Sequence, residues 1–151
     1  MKTITLPKHH YPHIETLPTR WSDNDMYGHV NNVAYYAYFD TVVNRLLIDR
    51  GWLNPLSDNI IAVVAETQCQ FFNSLAYPQL LDIALLVERV GNSSVTYRLG
   101  VFAQDSDEVA AQGRFVHVYV DKLSRQPVPI PPEVRKGLLM LTSELWRPTG
   151  A

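Results

Sequence analysis

What the chain has little of narrows its possibilities. It has one cysteine, Cys69, so no disulfide forms within it, which suits a reducing compartment. No apolar run approaches the ~20 residues of a membrane-spanning helix. The opening MKTITLPKHHYPH lacks the continuous apolar stretch of a secretion signal. Lys and Arg number 13 against 15 Asp and Glu, a formal charge of -2, and no basic patch stands out. These absences predict a cytoplasmic protein with no affinity for nucleic acid or membrane. There is no Gly-x-Ser-x-Gly elbow, so an α/β-hydrolase reading fails. Neither Gly-x-Gly-x-x-Gly nor a phosphate-binding P-loop occurs.

What is there reads as one globular domain. The 151 residues are 46% hydrophobic and 19% charged, enough for a sizeable core. Residues 1–12 are polar with Pro7 and Pro12, and read as a loosely held lead-in. His9, His10 and His13 lie close together there without a Cys or Asp neighbour, so a solvated tail is expected and no metal site. The folded domain spans 13–141, and 142–151 form a C-terminal tail. Residues 13–21 form a short strand, placed at an edge or bulged by Pro18, which has no N–H to give. A helix follows from about Val30 to Arg50, with Gly51 as its stop. Its apolar residues cover nearly the whole circumference, so it must be wrapped.

The wrapping comes next. Residues 60–72, 79–91, 93–105 and 108–121 are four long strand candidates joined by short turns, which favours antiparallel pairing. Ile61, Val63, Ala65, Cys69 and Phe71 are assigned to one face of the first; in the fourth, either both faces are covered or a bulge sits near Gly113. A short helix from Pro132 to Leu141 closes the chain. The fold class is therefore α+β, a curved antiparallel sheet wrapped around one long central helix. Ile60, Ala62, Val64 and Phe102 are placed on the outer face, where their apolar character predicts a homo-oligomer.

The chain is organised around residues 20–40. Asp, Asn, Gly and Ser crowd the stretch from Ser22 to Asn32, and an apolar, aromatic helix begins at once after it. A helix start offers unpaired N–H groups and positive partial charge, which suit a carboxylate or a developing oxyanion. Asp23 reads as a loop cap, and Asp25, nearer the helix, as the candidate for attack or proton abstraction. Asn31 and Asn32 are good helix caps, and His29 either orients a partner or bonds within the loop. Structural capping alone remains open for all of them.

The run Asp23-Asn24-Asp25-Met26-Tyr27-Gly28-His29-Val30-Asn31-Asn32, followed by a helix carrying Tyr38-Phe39-Asp40, resembles the signature of hot-dog-fold acyl-CoA thioesterases of the 4-hydroxybenzoyl-CoA thioesterase-like family. The element order over about 13–141 matches as well. The resemblance implies a hot-dog fold, hydrolysis of an acyl thioester to free acid and CoA, and Asp25 as the catalytic nucleophile or general base. It implies that backbone N–H groups around Asn31 and Asn32, with His29 close by, polarise the thioester carbonyl. It implies dimers or dimers of dimers with coenzyme A along the subunit interface, and no cofactor beyond the CoA of the substrate. The thioester partner is an acyl-CoA or an acyl carrier protein. Arg89, Ser93 and Ser94 resemble the family's turn that meets pantetheine or nucleotide, and Lys122 and Arg125 its basic phosphate contacts, although the chain is sparse in basic residues at both places.

Other residues carry two readings. Glu66, with Gln68 and Gln70, is a second acid in a substrate groove or a solvated or interface row. Tyr27, Tyr35, Tyr36, Phe39, Phe71 and Phe72 line an acyl pocket or fill the core. Cys69 is expected to be a small core residue and His117 a packed strand residue. Two rival functions stand beside hydrolysis: a hot-dog acyl-thioester dehydratase or hydratase, kept open by His29, and a non-catalytic acyl-CoA-binding module.

Overall fold

The structure is a computed structural model and describes residues 4–143. Five strands and two α-helices follow one another as β1 (His13–Pro18), α1 (Asn32–Asp49), β2 (Ile60–Phe71), β3 (Leu80–Val90), β4 (Ser94–Ala103), β5 (Ala111–Asp121) and α2 (Pro132–Leu139). The strands form one sheet in the order β1-β3-β4-β5-β2, every neighbouring pair antiparallel. The short connections expected from the sequence make β3, β4 and β5 a meander, and α1 carries the chain from one edge, β1, to the other, β2. This is the hot-dog arrangement, an α+β sheet curved around one helix.

The core is the contact between α1 and the inner face of the sheet. Phe39, Val42, Val43, Leu46 and Leu47 of α1 are buried against Leu81, Ile83 and Leu85 of β3 and Val95, Tyr97, Leu99 and Val101 of β4. Complete burial of a side chain such as Phe39 is worth about 2–3 kcal/mol. Alternation along β3 and β4 places these residues on one face, as their period-two pattern predicts. Gly51 stops the helix with φ of 72°, a left-handed backbone that glycine adopts without a Cβ penalty.

Three expectations are corrected. No bulge lies at Gly113; the register shifts are between Val64 and Glu66 and between Val87 and Arg89. Gly113 is there because a Cβ would meet Phe39 Cε2 at 2.2 Å. The bulge in β2 then reverses its alternation, so Ile61 and Val63 do not share a face with Cys69 and Phe71. Ile60 and Ala62 turn towards the helix side and pack on the core, opposite Asp121 and Tyr119.

The described residues before β1, 4–12, are not loosely held. Leu6 (9% exposed) and Tyr11 (5%) cover Ala84, Leu86 and Phe102 on the outer face of the sheet. Tyr11 meets Phe102 edge-on, with centroids 6.1 Å apart. Lys8 Nζ donates to Asp82 Oδ2 and to the Gln104 carbonyl, both at 2.9 Å. Phe102 is therefore covered by the chain's own strap, and the outer-face argument for an oligomer falls away. The open surface is instead the β2 edge, where residues 64–68 are all exposed. Most of the expected C-terminal tail lies outside the described residues.

Candidate active site

The polar loop is a small, heavily bonded structure. Asp25 N–H donates to the His29 carbonyl at 2.8 Å and Gly28 N–H to the Asp25 carbonyl at 3.1 Å, closing a tight turn in which Gly28 has φ of 82°. Asp25 Oδ1 accepts from Tyr27 N–H at 2.9 Å. Its Oδ2 has no hydrogen-bond partner among the described residues, and the side chain is half-exposed.

Asp23 holds the base of this loop. It is 2% exposed. Oδ2 accepts from Arg20 N–H and from Tyr38 Oη, both at 2.8 Å, and Oδ1 accepts from the Arg20 guanidinium at 3.0 and 2.9 Å. Its carbonyl accepts from Asn31 N–H at 2.8 Å. Burial pushes the Asp23 carboxyl up, but the bonds from the Arg20 N–H, the Tyr38 hydroxyl and the Arg20 guanidinium outweigh it and hold the pKa below the ordinary value. The same arrangement pushes the Tyr38 phenol well up, through burial first and then its bond to Asp23. Asp23 is thus the cap expected of it. The Tyr38 hydroxyl was not picked out in the sequence; Tyr38 lies two turns along the helix from Asn31, and that shared face was the available signal.

At the helix start, Asn31 Oδ1 accepts from Val33 N–H at 3.1 Å and the Asn31 carbonyl from Ala34 N–H at 2.9 Å. Val30 N–H is taken by the Leu75 carbonyl at 2.7 Å. The Asn32 N–H, first in the helix, has no partner among the described residues. Asp25, Tyr27, His29 and Asn32 line a cavity of about 490 Å³ together with Tyr35, Phe71, Phe72, Asn73 and Ser74. A residue with a free carboxylate oxygen and one with an uncapped helix N–H thus line one space together with three aromatic side chains besides Tyr27. Asn73 and Ser74, which follow β2, were not among the residues expected there. Burial pushes the Cys69 thiol up to about 12, which keeps it a neutral thiol beside this site.

The other candidates are elsewhere. Glu66 lies on the outer face, where Oε1 accepts from Arg114 Nη2 at 2.7 Å and Gln68 Nε2 at 3.1 Å. It is not among the residues that line the cavity. Arg89, Ser93 and Ser94 lie around the β3–β4 turn, and Lys122 and Arg125 in the turn after β5. The carbonyls of Ser93 and Ser94 accept from Tyr119 and Gly91 N–H, and Arg135 of α2 ties down this turn through the Gly91 and Asn92 carbonyls. Ala111, opposite Phe71, and Asp121, opposite Ile60, mark the two ends of β5. They are ten residues and about 33 Å apart, so within one chain these turns do not reach Asp25.

A family model described as the Thioesterase-like superfamily matches residues 19–138, which hold the loop, the helix and all of the cavity. The chain belongs to this superfamily. A crystal structure of the PA5185 protein from Pseudomonas aeruginosa strain PAO1 is 46% identical with a TM-score of 0.89, covering 93% of this chain and 98% of that one. The uncharacterized protein YsmA of Bacillus subtilis is 34% identical over 123 residues, 80% of either chain. The fold is also that of Slr0204, a 1,4-dihydroxy-2-naphthoyl-CoA thioesterase from Synechocystis, at 14% identity and a TM-score of 0.76 over 89% of this chain and 98% of that one. Among the described residues of this superfamily member, no helix is long and apolar enough to cross a membrane.

Proposed function

We propose that the protein hydrolyses acyl-CoA thioesters to a free acid and CoA, with Asp25 as nucleophile or general base. One observation carries this reading: Asp25, whose Oδ2 is unpaired among the described residues, and Asn32, whose N–H is uncapped, line the same cavity. The thioester carbonyl oxygen points at the Asn32 N–H, whose partial positive charge stabilises the oxyanion. Asp25 either attacks the carbonyl carbon, so that the C–S bond breaks and the acyl group stays on its carboxylate as an anhydride that water then hydrolyses, or removes a proton from a water that attacks and breaks the C–S bond directly; in both routes the thiolate leaves and is protonated to the thiol. The net change consumes one water and needs no metal or redox partner. The Slr0204 thioesterase acts on an aryl-CoA, and the aromatic wall of Tyr35, Phe71 and Phe72 suits an acyl group of that character.

The working unit is a homodimer joined along β2. That strand is an edge of the sheet and exposed through its middle, and its end at Phe71 forms a wall of the cavity. Free backbone groups on such an edge pair readily with a second copy. Antiparallel pairing also moves the partner's Arg89, Ser93, Ser94, Lys122 and Arg125 to the Asp25 end, where they meet the CoA that their own chain cannot bring to them.

The test is thiol release from a panel of acyl-CoA thioesters by the native protein and Asp25→Asn. The variant should keep its fold and lose about 10²–10⁴-fold in turnover, the range of acid–base contributions. Full activity in Asp25→Asn would remove Asp25 from the reaction.

A further inference from the structure

A second cavity lies at the opposite end of α1. It measures about 450 Å³, within the range of small-ligand pockets. Leu47 at the end of α1, Tyr119 of β5 and Val134 of α2 are buried in its walls, and Ile60 and Ala62 of β2 complete them with Trp52 and Leu53. The charged residues that line it, Asp58 and Glu133, are both acids. The Tyr119 hydroxyl is buried with no hydrogen-bond partner. None of these residues belongs to the Asp25 cavity.

Both cavities border β2 on its inner side. Ala62 lines the second cavity, and Phe71 the first. Nine residues of strand separate these two, about 30 Å, too far for one acyl chain to serve both cavities of a single chain. Pairing of two copies changes this. Antiparallel pairing of β2 about its midpoint sets Ile60 beside the partner's Phe71 and Ala62 beside the partner's Cys69. The second cavity of one chain then adjoins the Asp25 cavity of the other.

We propose that the acyl group of a thioester held at Asp25 of one subunit lodges in the cavity between α1 and α2 of its partner. The proposal rests on thioester hydrolysis at Asp25 in a dimer joined along β2. It makes the second cavity the selector of the acyl group. Apolar walls select hydrocarbon or aryl groups. Two carboxylates and no base among the lining residues disfavour acyl groups that end in a second carboxylate. The buried Tyr119 hydroxyl provides a hydrogen bond for an acyl group with a polar atom near its far end.

Filling the cavity tests the size selection. Ala62→Phe fills it from β2. Leu53→Trp fills it from outside the strand, so pairing along β2 is untouched. Each variant is assayed with acetyl-CoA and decanoyl-CoA, and the ratio of decanoyl to acetyl turnover should fall about ten-fold or more. Co-expression with distinct tags then tests the crossing between subunits. Asp25→Asn paired with Leu53→Trp leaves one site with an intact Asp25 from one chain and an intact cavity from the other. Decanoyl-CoA turnover should return to about a quarter of native in a random mixture of twofold dimers. An unchanged ratio in both filling variants, or a mixture no more active than its parents, overturns the proposal and leaves hydrolysis at Asp25 standing. A native protein that releases no thiol from any thioester overturns both.

Discussion

Tyr38 Oη lies 2.8 Å from Asp23 Oδ2 and joins the second turn of α1 to the loop that carries Asp25. This bond is buried and charge-assisted. Tyr38→Phe should cost about 1.5–3 kcal/mol in urea unfolding, the range for hydrogen bonds to charged groups. Asp23→Asn should cost more, because the Arg20 guanidinium then loses its carboxylate. The Asp23 carboxyl titrates below its ordinary value. Its contribution is therefore complete above the unfolded value, ~3.9, and disappears as pH falls through the lower folded value. The stability difference between native protein and Asp23→Asn should shrink correspondingly in acid.

His117 is 1% exposed, in contact with Phe115 and Tyr97 at centroid distances of 4.9 and 6.0 Å. Burial pushes its pKa down from 6.5 to about 4. The unfolded chain therefore binds a proton that the folded one does not between these values. Stability should rise with pH from about 4 to about 6.5, by on the order of 3 kcal/mol from this group. His117→Gln should flatten that part of the profile in urea titrations run at several pH values; an identical profile would show that His117 binds its proton equally in the folded and unfolded states.

Gly113 and Phe39 are a matched pair. Gly113→Ala would place a methyl 2.2 Å from Phe39 Cε2 and 2.8 Å from the Gln68 carbonyl. The overpacking should cost about 1–3 kcal/mol. Combining it with Phe39→Leu should recover part of that loss, and a double-mutant cycle in thermal or urea unfolding measures the coupling.

Pairing along β2 has a charge signature. Pairing about the strand midpoint sets Val64 opposite the partner's Thr67, and both positions are exposed in the single chain. Val64→Lys with Thr67→Lys should dissociate the dimer in sedimentation velocity, since like charges then face each other twice. Val64→Lys with Thr67→Glu should remain dimeric. Identical behaviour of the two double variants would rule out this register.

Much of this architecture is legible in the residue pattern. The circumference of apolar residues on α1, the alternation in β3 and β4 and the glycine stop at Gly51 all act locally, over a few residues. The loop from Asp23 to Asn32 is equally local, and Asp23 was read there as a cap. What escaped depends on distant partners. The bulge after Val64 inverts the faces of β2, and no propensity at that position announces it. Gly113 looks like a strand defect until Phe39 is seen against it. Leu6 and Tyr11 look like an unattached tail because the face they cover is formed from residues 84–102. Arg89, Ser93, Ser94, Lys122 and Arg125 were grouped with Asp25 by resemblance, whereas the strand length separates them within one chain.

The strap formed by Leu6, Lys8 and Tyr11 reverses two orders. It is made before the sheet it docks on, and its seat includes Phe102 and Gln104, which are synthesised about ninety residues later. The strap can dock only after β4 is made. Until β4 is in place, the strap lacks part of its seat, and a nascent chain carries an apolar sheet face at Ala84 and Leu86 that waits for Leu6 and Tyr11 to close it.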